Sequence, residues 1–243
     1  MAVDSEVKNK LQIFMVVAIL LAGGRAAYIV YERHEALQEE TKPKPQESAM
    51  KADYYVTPKR LRPYDLKSAR QLTEQPVWVK VGYQLAYYPY DKARRKADFG
   101  QPAGTLPPLL KLSIQDVVTD VSPQAAGTKQ VMAVFSLEGK EYAVPIGAEK
   151  GSDFKIYSDD AFFIEDPHEL YKHWPSDVWK KIDAHEVQSG MSELQASFAI
   201  GAGAPASGSA GDYGSRTLHY ANGGKPMAIT FANDKAVEIK QGS

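Results

Sequence analysis

The chain contains no cysteine. Disulfides, thiolate zinc sites, iron–sulfur clusters, lipoprotein acylation and cysteine nucleophiles are excluded together. An excess of either charge is also missing: 29 Lys and Arg stand against 30 Asp and Glu, for a formal net charge of -1. No global field therefore draws the protein to nucleic acid or to anionic lipid. The GxSxG string that places a serine nucleophile on a strand-to-helix elbow does not occur either. What remains is an ordinary globular composition, 243 residues with 44% hydrophobic and 24% charged, long enough for one large or two small domains.

A marked apolar run lies near the N-terminus. From Ile13 to Val30 only Arg25 is charged, and a helix of that length spans about 27 Å, close to a hydrocarbon core of ~30 Å. Residues 1–32 are therefore expected to hold a short tail and a single transmembrane helix. Ile13, Val16 and Leu20 lie along it, Arg25 snorkels to the headgroups, and Tyr28 and Tyr31 sit in the interfacial belt. Lys8 and Lys10 ahead of the run hold the tail in the cytoplasm. That predicts a single-pass protein of the bacterial inner membrane with its soluble part in the periplasm. The same stretch also reads as a leader cleaved at Ala22-Gly23-Gly24, although apolar character resumes from Ala26 to Val30.

Residues 33–52 are polar and aperiodic and read as a flexible linker. Residues 53–166 are predicted to be β-rich. Val77, Val79, Val81, Tyr83, Leu85 and Tyr87 recur at every second position, the pattern of one half-buried strand. Further strands are expected at 109–118, 130–137, 141–146, 154–157 and 161–164, with turns between them, suggesting a small antiparallel barrel of SH3-like form. In residues 167–243 a helical pair follows Pro167. Ser192 and Gln195 then form a capping box for a helix stopped by Gly201. Three strands complete a meander, with Val237 and Ile239 alternating in the last. The expected fold class is thus α+β: an N-terminal transmembrane helix, a small antiparallel barrel, and a helical segment plus three-stranded meander.

From about Ile182 to Ile239 the order of GMSELQ, an apolar helix ending in Ile200-Gly201, a Gly- and Pro-rich loop and the meander YANGGKPMAITFANDKAVEI resembles the small envelope domain of the SmpA/OmlA/BamE lipoprotein family. The resemblance covers residues 182–239 only, and the chain departs from it in lacking a lipobox cysteine and in placing an apolar run and a β-rich segment ahead of it. It implies a binding or scaffolding role in a bacterial envelope.

Several strings imitate catalytic motifs. His168 and His173 flank Glu169 as in HExxH, but at i and i+5 they lie about 140° apart on a helix and cannot face one metal. Asp159, Asp160, Glu165 and Asp166 lack the ligand spacing of a calcium loop and read as a solvated turn. The glycines from Gly201 to Gly214 follow a helix and lead to a strand, the reverse of a phosphate-binding loop. The expectation is a protein that is not an enzyme, with no cofactor and no metal. Tyr83, Tyr87, Tyr88 and Tyr90, followed by Arg94 and Arg95, form the candidate binding surface, within a basic run that also includes Lys92 and Lys96. A protein partner in the envelope is expected, and no nucleic acid. The alternative is a cell-wall or glycan-binding module that stacks sugars on the tyrosines.

Overall fold

A computed structural model describes residues 25, 28, 52–121, 127–205 and 211–242. The chain divides into two compact units, Met1–Tyr54 and Tyr55–Ser243. In the first, Arg25 and Tyr28 are helical and exposed. Ile13, Val16, Leu20 and Tyr31 lie outside the described residues, as does nearly all of the expected linker. Among the described residues no helix is long and apolar enough to cross a membrane. The expected single-pass inner-membrane protein is corrected on that finding. In the second unit the longest helices, Ser176–Asp183 and Glu193–Ile200, have eight residues each, about 12 Å of rise against a hydrocarbon core of ~30 Å.

The second unit is mostly β-sheet with few helices, which also corrects the expected fold class. A strap (residues 56–64) leads to the helical turn Leu66–Ala69, where Asp65 accepts from the Ser68 amide at 2.7 Å and Ser68 Oγ accepts from the Asp65 amide at 3.1 Å. Strands follow as β1 (Val77–Val79), β2 (Ala86–Asp91), β3 (Lys96–Ala97), β4 (Gly104–Thr105) and β5 (Lys111–Leu112). Then come β6 (Ile114–Val121), β7 (Lys129–Leu137), β8 (Lys140–Lys150), β9 (Asp153–Ile156) and β10 (Phe162–Phe163). After the two helices the chain closes with β11 (Ala204–Pro205), β12 (Thr217–Tyr220), β13 (Met227–Ala232) and β14 (Lys235–Gln241).

The large antiparallel sheet runs β3-β2-β8-β7-β6, with β4 added to β2 and β9 to β8. It is not a closed barrel. Closure needs backbone pairing between the first and last strands, whereas among the described residues β3 meets β6 through a side chain: the Ala97 amide donates to the Asp120 carboxylate at 2.7 Å. Pro145, within β8, lacks an amide hydrogen; it falls at a bulge against β7 and between the stretches of β8 that pair with β2 and with β9, where no donor is needed.

A small sheet, β10-β1-β5, is the partition between two cores. Successive strand residues point to opposite faces. Val77, Val79 and Phe162 therefore enter one core with Leu72, Val131, Phe135 and Ile146, while Trp78 and Phe163 enter the other with Trp174, Phe198 and Ile229. The single half-buried strand expected over Val77 to Tyr87 is corrected accordingly: residues 77–79 are buried on both faces, and the chain turns over residues 80–84, where Tyr83 has φ +61°.

The second core is built by the helix Glu193–Ile200 on the sheet β11-β12-β13-β14. Ser192 and Gln195 make the reciprocal capping box, and Gly201 ends the helix at φ +87°. Tyr171, Trp174 and Trp179 close one side, with ring centroids at 4.6 and 5.2 Å, each such pair contributing about 0.5–1.5 kcal/mol beyond its burial. In β14 the expected alternation of Val237 with Ile239 is interrupted. Thr230 pairs with Glu238 and Phe231 with Ala236, so Val237 is the extra residue of a bulge and is exposed, while Ile239 stays opposite Ile229.

Candidate functional site

The residues singled out from the sequence fall in three places. Tyr87 points into the first core, its ring 5.9 Å from Phe135 and 4.9 Å from Tyr142. Tyr88 and Tyr90, one and three residues further along β2, point to its opposite face. There they cover Val118, Met132, Val134 and Ala143, with Tyr88 lying 5.1 Å from Phe99. Tyr83 stands apart, against the second core: Cβ atoms added at Gly201 and Gly223 would lie 3.1 and 2.9 Å from its ring, and its ring is edge-on to His185 at 6.5 Å. Burial pushes the phenols of Tyr83, Tyr87 and Tyr90 above the ordinary tyrosine value. All three are neutral hydroxyls at physiological pH.

The hairpin of β2 and β3 brings Tyr90, Arg94 and Arg95 together. Asp91 fixes the turn by accepting from the Arg94 amide at 2.9 Å and pairing with its guanidinium at 3.5 Å. Arg95, at φ +55°, reaches across to β6 and donates to Asp116 at 3.1 Å. Asp116 reaches that face because Gln115 is the extra residue of a bulge: Ile114 pairs with Phe135 and Asp116 with Val134, so Ile114 enters the first core and Asp116 turns outward. The sequence pattern of β6 carries no signal for this bulge. Arg94 and Arg95 are therefore tied down by carboxylates, Asp91 at the edge of the run and Asp116 on a distant strand.

Tyr90 stands between two shallow depressions. One, about 220 Å³, is bounded by Lys92, Arg95, Gln115 and Asp116; the other, about 460 Å³, by Asp91, Arg94, Lys96, Asp98 and Glu141. On the wall of the larger one, Glu141 Oε2 is buried and has no hydrogen-bond partner among the described residues. A desolvated carboxylate oxygen left without a donor is costly. Sequence inspection missed Glu141, which looks like any solvent-facing residue after a turn. The hairpin offers a phenol, two guanidiniums already engaged with carboxylates and one unmatched acceptor, groups that can bind but include no activated nucleophile.

The histidines and carboxylates of the motif-like strings have neighbours within the fold. His168 lies between Asp166 and Asp183, at 3.0 and 3.1 Å, and stacks on Trp179 at 4.1 Å. His173 contacts Tyr171 and Trp174 instead. Among the described residues no three His, Asp or Glu side chains gather as metal ligands. The acidic run is not a merely solvated turn. Asp159 accepts the amides of Leu61 and Arg62 at 3.0 and 2.8 Å, Glu165 accepts the Lys59 amide at 2.8 Å, and Asp166 caps the helical turn Pro167–Leu170. Asp159 and Glu165 fasten the strap to the body of the unit.

No family model, no curated protein and no solved structure matches the chain.

Proposed function

We propose that this protein is a non-catalytic binding module that holds another protein at the β2–β3 hairpin. The observation that carries this function is Glu141: its carboxylate oxygen is buried without a donor on the wall of a depression rimmed by Tyr90, Arg94 and Lys96. A partner side chain or amide entering there supplies the missing hydrogen bond. Tyr and Arg are also the residues enriched at the energetic centres of protein interfaces, and Tyr90 is flanked by Arg94 and Arg95. Shallow, mixed-charge depressions suit protruding groups of a macromolecule better than an enclosed small ligand. The resemblance of residues 182–239 to SmpA/OmlA/BamE-like domains points the same way, toward binding rather than chemistry.

The glycan-binding alternative needs several tyrosine faces presented side by side. Tyr87 and Tyr83 are packed into two different parts of the fold, and Tyr88 lies against Phe99, so the protein-binding function is favoured. A photo-activatable residue placed at position 94 is expected to capture a partner in living cells, while the same residue at exposed position 155 on β9 captures none. Equal adducts from both positions, or none from position 94, would count against the proposal.

A further inference from the structure

The strap carries a second cationic surface, distinct from the hairpin. Its backbone is fastened by carboxylates: the Lys59 amide and Nζ reach Glu165 at 2.8 and 3.0 Å, and the amides of Leu61 and Arg62 take both oxygens of Asp159. Leu61 packs against the first core. With Leu61 turned to the body and Lys59 paired with Glu165, Arg60 and Arg62 are left exposed, and neither guanidinium has a carboxylate partner among the described residues. Arg62 is held at φ +50° immediately before Pro63, a conformation disfavoured for a side-chain-bearing residue and fixed here by the hydrogen bond its amide donates to the Asp159 carboxylate. The fold thus determines where these arginines emerge.

A third cation lies beside them. Lys80 donates to the Asp159 carbonyl oxygen at 3.3 Å and sits 5.4 Å over the Phe163 ring. Burial lowers its pKa most and the nearby positive charge of Arg60 lowers it further, outweighing the opposite pull of the Asp160 and Asp159 carboxylates. An anion placed between like charges offsets their mutual repulsion. Tyr64, 77% exposed, stands at the end of the strap.

We propose that the Lys59–Tyr64 strap is a docking surface for a short acidic segment of a partner protein, whose carboxylates meet Arg60, Arg62 and Lys80. Three cations in a chain of net charge -1 are a small footprint for nucleic acid, whose binding depends on neutralising many phosphates. A carboxylate-bearing peptide needs no more than these. Arginine suits it, since the guanidinium fork matches a carboxylate.

The test is fluorescence anisotropy of the full chain with labelled hexaglutamate, against hexaglutamine and a single-stranded oligothymidylate of similar length. Hexaglutamate is expected to bind and to weaken as salt rises from about 50 to about 200 mM. Arg60→Glu with Arg62→Glu should cost at least about tenfold in affinity, while Lys155→Glu leaves it unchanged. The unfolding midpoint of the double variant should match wild type; if it falls, Arg60→Gln with Arg62→Gln is used and the same loss expected. Undiminished hexaglutamate binding by the arginine variants, no hexaglutamate binding at all, or tighter binding of the oligothymidylate would overturn the proposal. Photo-crosslinking at position 94 tests the hairpin separately, so failure at one surface is distinguishable from failure at the other.

Discussion

Glu193 and Arg216 form a two-pronged ion pair, Nη2 to Oε2 at 2.9 Å and Nε to Oε1 at 3.1 Å, with the Glu193 side chain only 4% exposed. The same carboxylate accepts the Gly214 amide at 2.7 Å, and Glu193 occupies the first position of its helix, where negative charge is favoured. One side chain thus joins the helix start to the loop before β12. Glu193→Ala leaves the guanidinium and the amide without their acceptor and should lower stability by about 3 kcal/mol. Arg216→Lys, which cannot offer two parallel donors, should lose part of that. Urea denaturation of the two variants checks the order.

Tyr83 packs where the chain turns after β1, over glycines of the second core. Gly201→Ala should destabilise by at least about 2 kcal/mol, since φ is +87° and the new Cβ would lie 2.5 Å from the Gly82 carbonyl oxygen. Gly224→Ala is the control. Its φ is +93°, but nothing lies within 4 Å of the added atom, so only the backbone cost of about 1 kcal/mol is expected. Equal losses for the two variants would show that Tyr83 and Gly82 impose no close approach at Gly201.

Hairpin position depends on Asp120, a buried carboxylate that accepts the Ala97 amide at 2.7 Å. Asp120→Ala should release β3 from β6 and raise hydrogen exchange at Ala97 by at least about tenfold, with little change at β12–β14. Unchanged exchange at Ala97 would show that the hairpin is held by other contacts.

Acid should loosen the strap. The Lys59 amide bond, followed by the Lys59 ammonium, holds the Glu165 carboxyl below its ordinary value. A carboxyl depressed in the folded state stabilises the protein above its unfolded value, and that contribution is lost as pH falls through the folded value. Stability measured from about pH 6 down to about pH 3 should therefore fall less steeply in Glu165→Gln than in wild type. Parallel curves would remove Glu165 as the anchor of Lys59.

Features set by neighbouring residues were legible in the sequence. The Ser192–Gln195 capping box, the stop at Gly201 and the strands β12 to β14 form where their local chemistry indicates. Features that depend on distant chain were not. Alternation in β1 reads the same whether one face is wet or, as here, the two faces enter different cores. The bulges at Gln115 and Val237 shift which residues face inward without any marking glycine. Runs of like charge misled for a related reason. Arg95 is balanced by Asp116, 21 positions away, and Asp159 serves amides almost a hundred positions earlier. Conversely, Arg60 and Arg62 look unremarkable in sequence and emerge only because the strap's backbone has taken the nearby carboxylate.

Binding at Tyr90, beside the Glu141 acceptor, is tested most directly by the affinity of Tyr90→Ala for the partner captured at position 94. With the fold verified by an unchanged unfolding midpoint, the variant should bind at least about tenfold more weakly than wild type, while Lys155→Ala binds as wild type does. Wild-type affinity in folded Tyr90→Ala would contradict a binding site at the hairpin.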